Sequence, residues 1–238
     1  SHHPILDRWA DRRFTRTFAV MAPDEPREGN PLEERPLPRR IPVFPLPNVI
    51  FFPNTSMPLH IFEARYRKMV SDCLEGDRYL GMMLMKPGWE EGKIECYDVG
   101  GLGRISKVVK HPGGNMDIVL RGLSRYRVRD YVQREPYLIA EVDILEETGW
   151  EDSEKLRAAG EAMVRLFERT LYRQDSEVRT GILARLRLLE SALDITNYLA
   201  SILGIQLGLK QRILEADDPE ERVKLLTTVL RGELASLN

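Results

Sequence analysis

Chemistry in this 238-residue chain has to start from four histidines, His2, His3, His60 and His111. Only His60-Ile-Phe-Glu63 has a ligand-like i, i+3 spacing. A protein zinc site needs three or four ligands, so two are too few; His60 is expected to be hydrogen-bonded near a strand-to-helix junction, and no metal or other cofactor is expected. Ser1-His2-His3 has the form of a cleaved-tag scar and is given no weight as a ligand set. Glu63 is expected near a helix N-terminus, paired with Arg67 four residues on. Gly100, Gly101 and Gly103 suggest a phosphate cradle, but no long amphipathic helix begins after them, so a bulged or tightly bent strand fits better. Glu91-Gly92-Lys93-Ile94 lacks the upstream glycine and the Ser or Thr of a P-loop. Gly122-Leu-Ser-Arg-Tyr126 has no second glycine and is not a nucleophile elbow. No motif specifies catalysis, and the chain is expected not to be an enzyme.

Binding is the remaining chemistry, and two surfaces are candidates. The first is apolar: Phe52, Met57, Met85 and Trp89 could line a groove where a β module meets a helical bundle, although core burial accounts for each of them as well. The second is basic. Between Arg104 and Arg129 the cations Arg104, Lys107, Lys110, Arg121, Arg125, Arg127 and Arg129 face Asp117 alone. Strand alternation would put Arg125, Arg127, Arg129 and Tyr131 on one face, able to track a phosphate backbone and stack a base of single-stranded RNA. The competing reading is a solvated face paired with Glu141 or Asp143, which the net charge of −2 favours; nucleic acid is therefore the lesser expectation.

The elements that must position these residues are organised around residues 41–70. Apolar runs at 41–46, 49–52 and 57–62 are interrupted by Pro42, Pro45, Pro47, Pro53 and Pro58, which predicts edge or bulged strands at a barrel rim. Tyr66, Met69, Val70, Cys73 and Leu74 then fall on one helix face that ends at Gly76. Residues 79–86 are apolar at nearly every position, as a doubly covered strand requires. His111-Pro-Gly-Gly-Asn115 predicts a hairpin, and residues 125–132 and 138–144 alternate as further strands. From Gly149 onward the period is helical. One stripe runs from Leu156 to Leu171 behind Asp152 or Ser153, and a second through Leu183, Leu186, Leu189 and Leu193. Asp194 is expected to cap a third helix, a short segment follows at 209–215, and Asp218-Pro219-Glu220-Glu221 opens the last. Residues 1–40, proline-rich and charged from 22 on, form an N-terminal arm and linker that could reach over a neighbouring copy to make a homo-oligomer.

Composition bounds the rest. The length supports a core without staples, and two distant cysteines, Cys73 and Cys96, suggest free thiols in a reducing compartment. No apolar run is long enough to span a membrane and no leader is evident, so a cytoplasmic protein is expected.

One family resembles this order of motifs. Ile-Pro-Val-Phe-Pro-Leu (41–46), Phe-Pro (52–53), Met-Pro-Leu-His-Ile-Phe-Glu (57–63) with Arg65-Tyr66, Val99-Gly100 through Gly103-Arg104-Ile105, Arg121-Gly122-Leu123 with Arg125-Tyr126, and Pro136-Tyr137-Leu138 with Glu141-Val142 are similar to the N-terminal, substrate-binding domain of the Lon protease family. The likeness covers roughly residues 41–238. It implies an α+β fold: a PUA-like antiparallel β pseudo-barrel with one packed helix over 41–147, followed by an all-α helical bundle over 148–238. It also implies a non-catalytic binder of unfolded or exposed apolar polypeptide segments, linked to protein quality control or to a separate protease. The chain ends before the ATPase and Ser-Lys protease regions that full-length Lon enzymes carry, so a stand-alone binding domain is expected.

Overall fold

The computed structural model describes residues 36–88, 95–150, 153–170 and 176–235. The expected arm (residues 1–35 of it), Trp89, the sequence Glu91-Gly92-Lys93-Ile94 and Asp152 lie outside the described residues. The described chain runs β1 (Arg40–Leu46), β2 (Ser56–Ile61), α1 (Ala64–Glu75), β3 (Tyr79–Leu84), β4 (Val99–Lys110), β5 (Met116–Gln133) and β6 (Leu138–Leu145). Five helices follow: α2 (Glu154–Thr170), α3 (Ser176–Leu186), α4 (Ala192–Ile202), α5 (Leu207–Glu215) and α6 (Pro219–Ala235). This is the α+β architecture implied above.

The sheet order is β2-β5-β4-β3-β1-β6, and a further pairing of β5 with β6 closes the last five strands into a ring. The long β5 makes this closure feasible, pairing with β2 and β4 in its first half and with β4 and β6 further on. One pair departs from the antiparallel expectation: β1 runs parallel to β3. Ile41, Val43, Met83, Leu102, Tyr126, Ala140 and Val142 come from all five ring strands and fill the interior. Tyr126 is fully buried and donates its hydroxyl to Met82 O at 3.1 Å. Glycines make room for it, since a Cβ at Gly100 would lie 2.7 Å from the Tyr126 hydroxyl.

Prolines sit within β1 without breaking it. The strand pairs with β6 only over residues 40–43 and with β3 only over residues 43–46, so each half is open on one side. Val142 N–H donates to Arg39 O, which makes the odd-numbered residues of β1 face β6. The nitrogen of Pro42 therefore points away from β6 before the β3 pairing begins, and that of Pro45 points to the β6 side beyond its last pair. Both missing donors fall where no ladder bond is due. The apolar stretch 49–52 is not a strand; its backbone lies across the barrel, with Phe51 and Phe52 almost fully buried. Gly101 and Gly122 accept this close approach, because a Cβ would come within 2.0 Å of Phe51 O and 2.4 Å of Phe52 O respectively. A register shift also falls between Leu102 and Gly103, the irregularity expected of these glycines.

Helix α1 buries Tyr66, Met69, Val70 and Cys73 against Phe44, Leu46 and residues of β2, β3 and β5. It stops at Gly76, whose N–H donates to Asp72 O and Cys73 O. A different core joins the barrel to the helices. Ile50, Phe52, Leu84 and Val99 meet Leu156, Met163, Phe167, Ile195, Leu199, Ile213, Leu226 and Leu230 there. Ser153 caps α2 by accepting from Leu156 N–H, and Asp218 Oδ1 accepts from Glu220 N–H at the start of α6. The second leucine stripe is split: α3 ends at Leu186, and Leu193 belongs to α4. The cap of α4 is Ser191, which accepts from Asp194 N–H at 3.0 Å, so Asp194 is in the first turn and not at the cap. Its carboxylate instead accepts from Asn54 Nδ2 at 2.6 Å.

Candidate functional site

A cleft of about 390 Å³ opens at one rim of the barrel. Four segments build it: Pro45 from the end of β1, Arg65 and Tyr66 from the first turn of α1, Lys86 with Glu95, Cys96 and Asp98 beside the β3–β4 connection, and residues from Tyr131 to Leu138 at the β5–β6 turn. The antiparallel bridge Met85↔Cys96 closes the base of the connection and fixes its two ends. Tyr131, half-buried, supplies most of the aromatic surface, and Tyr66 and Tyr137 border the cleft while themselves buried. Tyr137 donates to Asp72 Oδ2 at 2.6 Å and Tyr131 to Met83 Sδ at 3.3 Å, so both rings are held in place. The guanidinium of Arg134 lies 4.9 Å from the Tyr131 ring centre, and that of Arg65 lies 4.7 Å from the Tyr66 ring centre.

Charge in this cleft is balanced: Arg65, Lys86 and Arg134 stand with Glu95, Asp98 and Glu135. Burial pushes the hydroxyls of Tyr66 and Tyr131 up to about 12 and the Cys96 thiol up to about 11. Burial, with the Asp72 carboxylate adding to it, also raises Tyr137. All four are neutral at pH 7, so the phenols donate hydrogen bonds and the thiol is no nucleophile. Aromatic edges and both signs of charge suit a peptide with mixed side chains.

The four apolar residues expected to line a groove are not gathered here. Phe52 is 1% exposed and belongs to the core between barrel and helices. Met57, on β2, is half-buried against the core under α1. Met85 is half-buried at the base of the β3–β4 connection, next to cleft residue Lys86. Trp89 lies outside the described residues. Sequence reasoning missed Tyr66, Arg134 and Tyr137 as site residues, because Tyr66 falls on the apolar stripe of α1 and the other two flank a turn. The aromatic and charged run Tyr131 to Tyr137 was the available signal.

The substrate-binding domain of ATP-dependent protease La (LON) matches residues 40–232. The chain belongs to that family. A Lon protease 2 of Myxococcus xanthus is 27% identical over 205 residues, covering 84% of this chain and 24% of the relative. A Lon protease of Dictyoglomus thermophilum is 26% identical over 216 residues, covering 90% of this chain and 26% of the relative. The chain thus spans about a quarter of the length of the curated relatives it matches. The fold agrees with a Lon N-terminal domain protein from Xanthomonas campestris, at TM-score 0.60 and 24% identity over 79% of this chain and 97% of the other. It also agrees with the N-terminal domain of a Mycobacterium avium complex Lon protease, at TM-score 0.66 and 18% identity over 81% and 98%.

In this Lon-family domain Arg125 of the basic strand is part of a joint between barrel and helices, while Arg127 and Arg129 are exposed and paired with acidic neighbours. Arg125 is 1% exposed: its Nε donates to Glu147 Oε1 at 2.8 Å, and its Nη1 to Leu214 O at 2.9 Å, Ala216 O at 3.3 Å and Asp217 Oδ1 at 3.1 Å. Arg222 of α6 reaches the same carboxylate from the other side at 3.1 Å and donates to Ala216 O at 2.8 Å. Burial lowers Arg222 to about 10, the Arg125 charge adds to this, and Glu147 opposes it. Arg127 pairs with Asp217 at 3.6 Å and Arg129 with Asp143 at 2.5 Å. Tyr131 turns to the rim cleft. A register shift between Val128 and Asp130 breaks the alternation that would have kept Arg125, Arg127, Arg129 and Tyr131 together.

His60 is hydrogen-bonded as expected, its Nδ1 2.5 Å from Asp117 Oδ1, and the other oxygen of Asp117 meets His111 Nε2 at 2.6 Å. Glu63 precedes α1 but pairs with Arg65 at 3.1 Å; Arg67 donates instead to Gly113 O. Among the described residues no group of three or more His, Cys, Asp or Glu side chains is placed to hold a metal, and no helix is long and apolar enough to cross a membrane.

Proposed function

We propose that this Lon-family domain binds unfolded or exposed apolar polypeptide segments in the rim cleft, as the recognition element of a cytoplasmic proteolytic system with an ATP-dependent protease as its partner. The cleft itself carries this reading: Tyr131 and Tyr137, held by hydrogen bonds, stand with Tyr66 and a balanced set of charges in a family described as substrate-binding. The exposed edge of Tyr131 and the stems of Arg65, Lys86 and Arg134 take apolar side chains, while Arg134 and Glu135 meet peptide groups and charged side chains.

Fluorescence anisotropy with labelled peptides from an unfolded protein tests it, using Tyr131→Ala, Arg134→Ala, Met85→Ala and Trp89→Ala. Loss of a ring or cation at a binding hot spot costs about 1–2 kcal/mol, so affinity should fall about 5–30-fold in the Tyr131 and Arg134 variants while circular dichroism is unchanged. Unaltered affinity in all four folded variants would remove the cleft from the function.

A further inference from the structure

A second opening, a shallow depression of about 470 Å³ lined mostly by exposed residues, lies on the other side of α1, and all of its charged lining residues are basic. Ala64, Arg67, Lys68 and Ser71 repeat at i, i+3, i+4 and i+7 along the α1 face opposite its buried stripe. Lys110, His111 and Gly114 close it from the β4–β5 hairpin. Asp72 and Asp117 stand against Lys68 and His111, so the unbalanced positive charge of the lining is that of Arg67 and Lys110.

These groups are held in place. Arg67 Nη1 donates to Gly113 O at 2.7 Å, which uses one of the five N–H donors of the guanidinium. Gly114 has φ +88°, and a Cβ there would lie 2.8 Å from Arg67 Nη1, so the glycine turn leaves the space the arginine occupies. Asp117 fixes the His111 ring through Nε2 and is itself anchored by His60. Burial pushes the Asp117 carboxyl up, but the hydrogen bonds from both histidines outweigh it and hold the group below its ordinary range. Lys68 is steadied by Asp72, at 2.9 and 3.1 Å. Among the described residues, neither Arg67 nor Lys110 has a carboxylate partner. A planar carboxylate offers two oxygens to such a set; a tetrahedral phosphate offers at least three, pointing in different directions, and suits cations arriving from both helix and hairpin.

We propose that this cavity is a binding site for a small phosphate-bearing anion. Its cations arrive from a helix and a hairpin rather than along a strand track, so they converge on one small anion. The site is separate from the rim cleft and does not depend on peptide binding.

The test is a two-dimensional amide NMR titration of the whole chain with inorganic phosphate and with pyrophosphate at 0.15 M salt, with citrate as the carboxylate control and a short single-stranded RNA as a further arm. Saturable shifts confined to Arg67, Lys68 and the 110–114 turn, stronger for pyrophosphate than citrate, are expected. Arg67→Gln with Lys110→Gln should weaken pyrophosphate at least about tenfold without changing the melting temperature, and Lys155→Gln on α2 should not weaken it. Shifts that never saturate, that spread over the whole basic surface, that appear only with RNA, or that survive the double variant would each overturn the proposal. If the double variant unfolds, Lys110→Gln alone, on the hairpin surface, must still weaken binding.

Discussion

Replacing Glu147 by Gln isolates what the buried arginine pair contributes to the union of barrel and helices. The carboxylate is 15% exposed and is shared by Arg125 and Arg222, each 1% exposed at the side chain. Gln keeps the volume but removes the charge, leaving two buried guanidinium groups with the exposed Asp217 and the carbonyls of Leu214 and Ala216. Removing one partner of a buried ion pair costs about 3–5 kcal/mol; the carbonyl acceptors that remain put the expected loss near the lower end, about 3 kcal/mol. In a chain of this size each kcal/mol shifts the melting temperature by about 2–4 °C, so a drop of about 6–12 °C is expected. Urea denaturation followed by circular dichroism, with calorimetry for the midpoint, measures it. The double variant Glu147→Leu with Arg222→Met removes a charge together with its partner and should cost less than the two single changes combined. A loss below about 1 kcal/mol for Glu147→Gln, or strict additivity in the double variant, would refute a buried charge network at this joint.

Two other outcomes follow from packing and titration. Gly101→Ala would set a Cβ 2.0 Å from Phe51 O, a backbone atom that cannot swing aside, and should cost more than about 3 kcal/mol in denaturant titration. Gly204→Ala, with nothing within 4 Å, should stay within about 0.5 kcal/mol. Stability should fall as the pH rises from about 9 towards 12. Cys73 and Tyr66 are pushed up to about 12 by burial, Tyr131 likewise, and Cys96 to about 11, so each holds its proton in the folded state after the unfolded chain has released it. Arg222, lowered to about 10, and Lys210, lowered to about 8 by burial, work in the opposite direction, but they are two groups against four, and the Lys210 contribution is complete by about pH 10.5. Thermal midpoints measured across that range check the sign, and a midpoint that stays flat or rises would show these groups to be solvated.

Sequence pattern revealed most where one residue type has one physical role. The α1 stripe, its stop at Gly76, the β4–β5 hairpin and the Asp218-Pro219 start of α6 all rest on local rules of period, turn and cap, and the structure has each of them. It revealed less where period alone had to carry a boundary. Leu183, Leu186, Leu189 and Leu193 keep a helical spacing across a break: Leu189 packs on the same core as Leu183 and Leu186 from beyond the end of α3, and Leu193 already belongs to α4. Ser191 was hidden as a cap for the same reason. Strand alternation failed at Arg125 for a tertiary cause: Ser124, Arg125 and Tyr126 are all buried because the helices cover one side of β5 while the barrel interior takes the other. The charged partners that make this tolerable, Glu147, Asp217 and Arg222, are remote in sequence and carry no local signal. The rim cleft was invisible for a similar reason, since its tyrosines come from α1, the end of β5 and the β5–β6 turn.

Helix α1 gives these separate features one geometry. Its buried stripe is anchored in the barrel; Arg65 and Tyr66 form part of the rim cleft, while Ala64, Arg67, Lys68 and Ser71 form a wall of the basic cavity. Asp72, one turn further on, accepts from Lys68 on the cavity side and from Tyr137 on the cleft side. Those two hydrogen bonds together hold the Asp72 carboxyl below its ordinary range. The residues that shape the two openings are therefore braced against a single short helix, whereas Arg125 and Arg222 lock the helical bundle to the barrel through a different element, β5. Substitutions in the arginine joint act on how bundle and barrel are united, and those on the polar faces of α1 act on the openings. The stability and binding measurements can thus move independently.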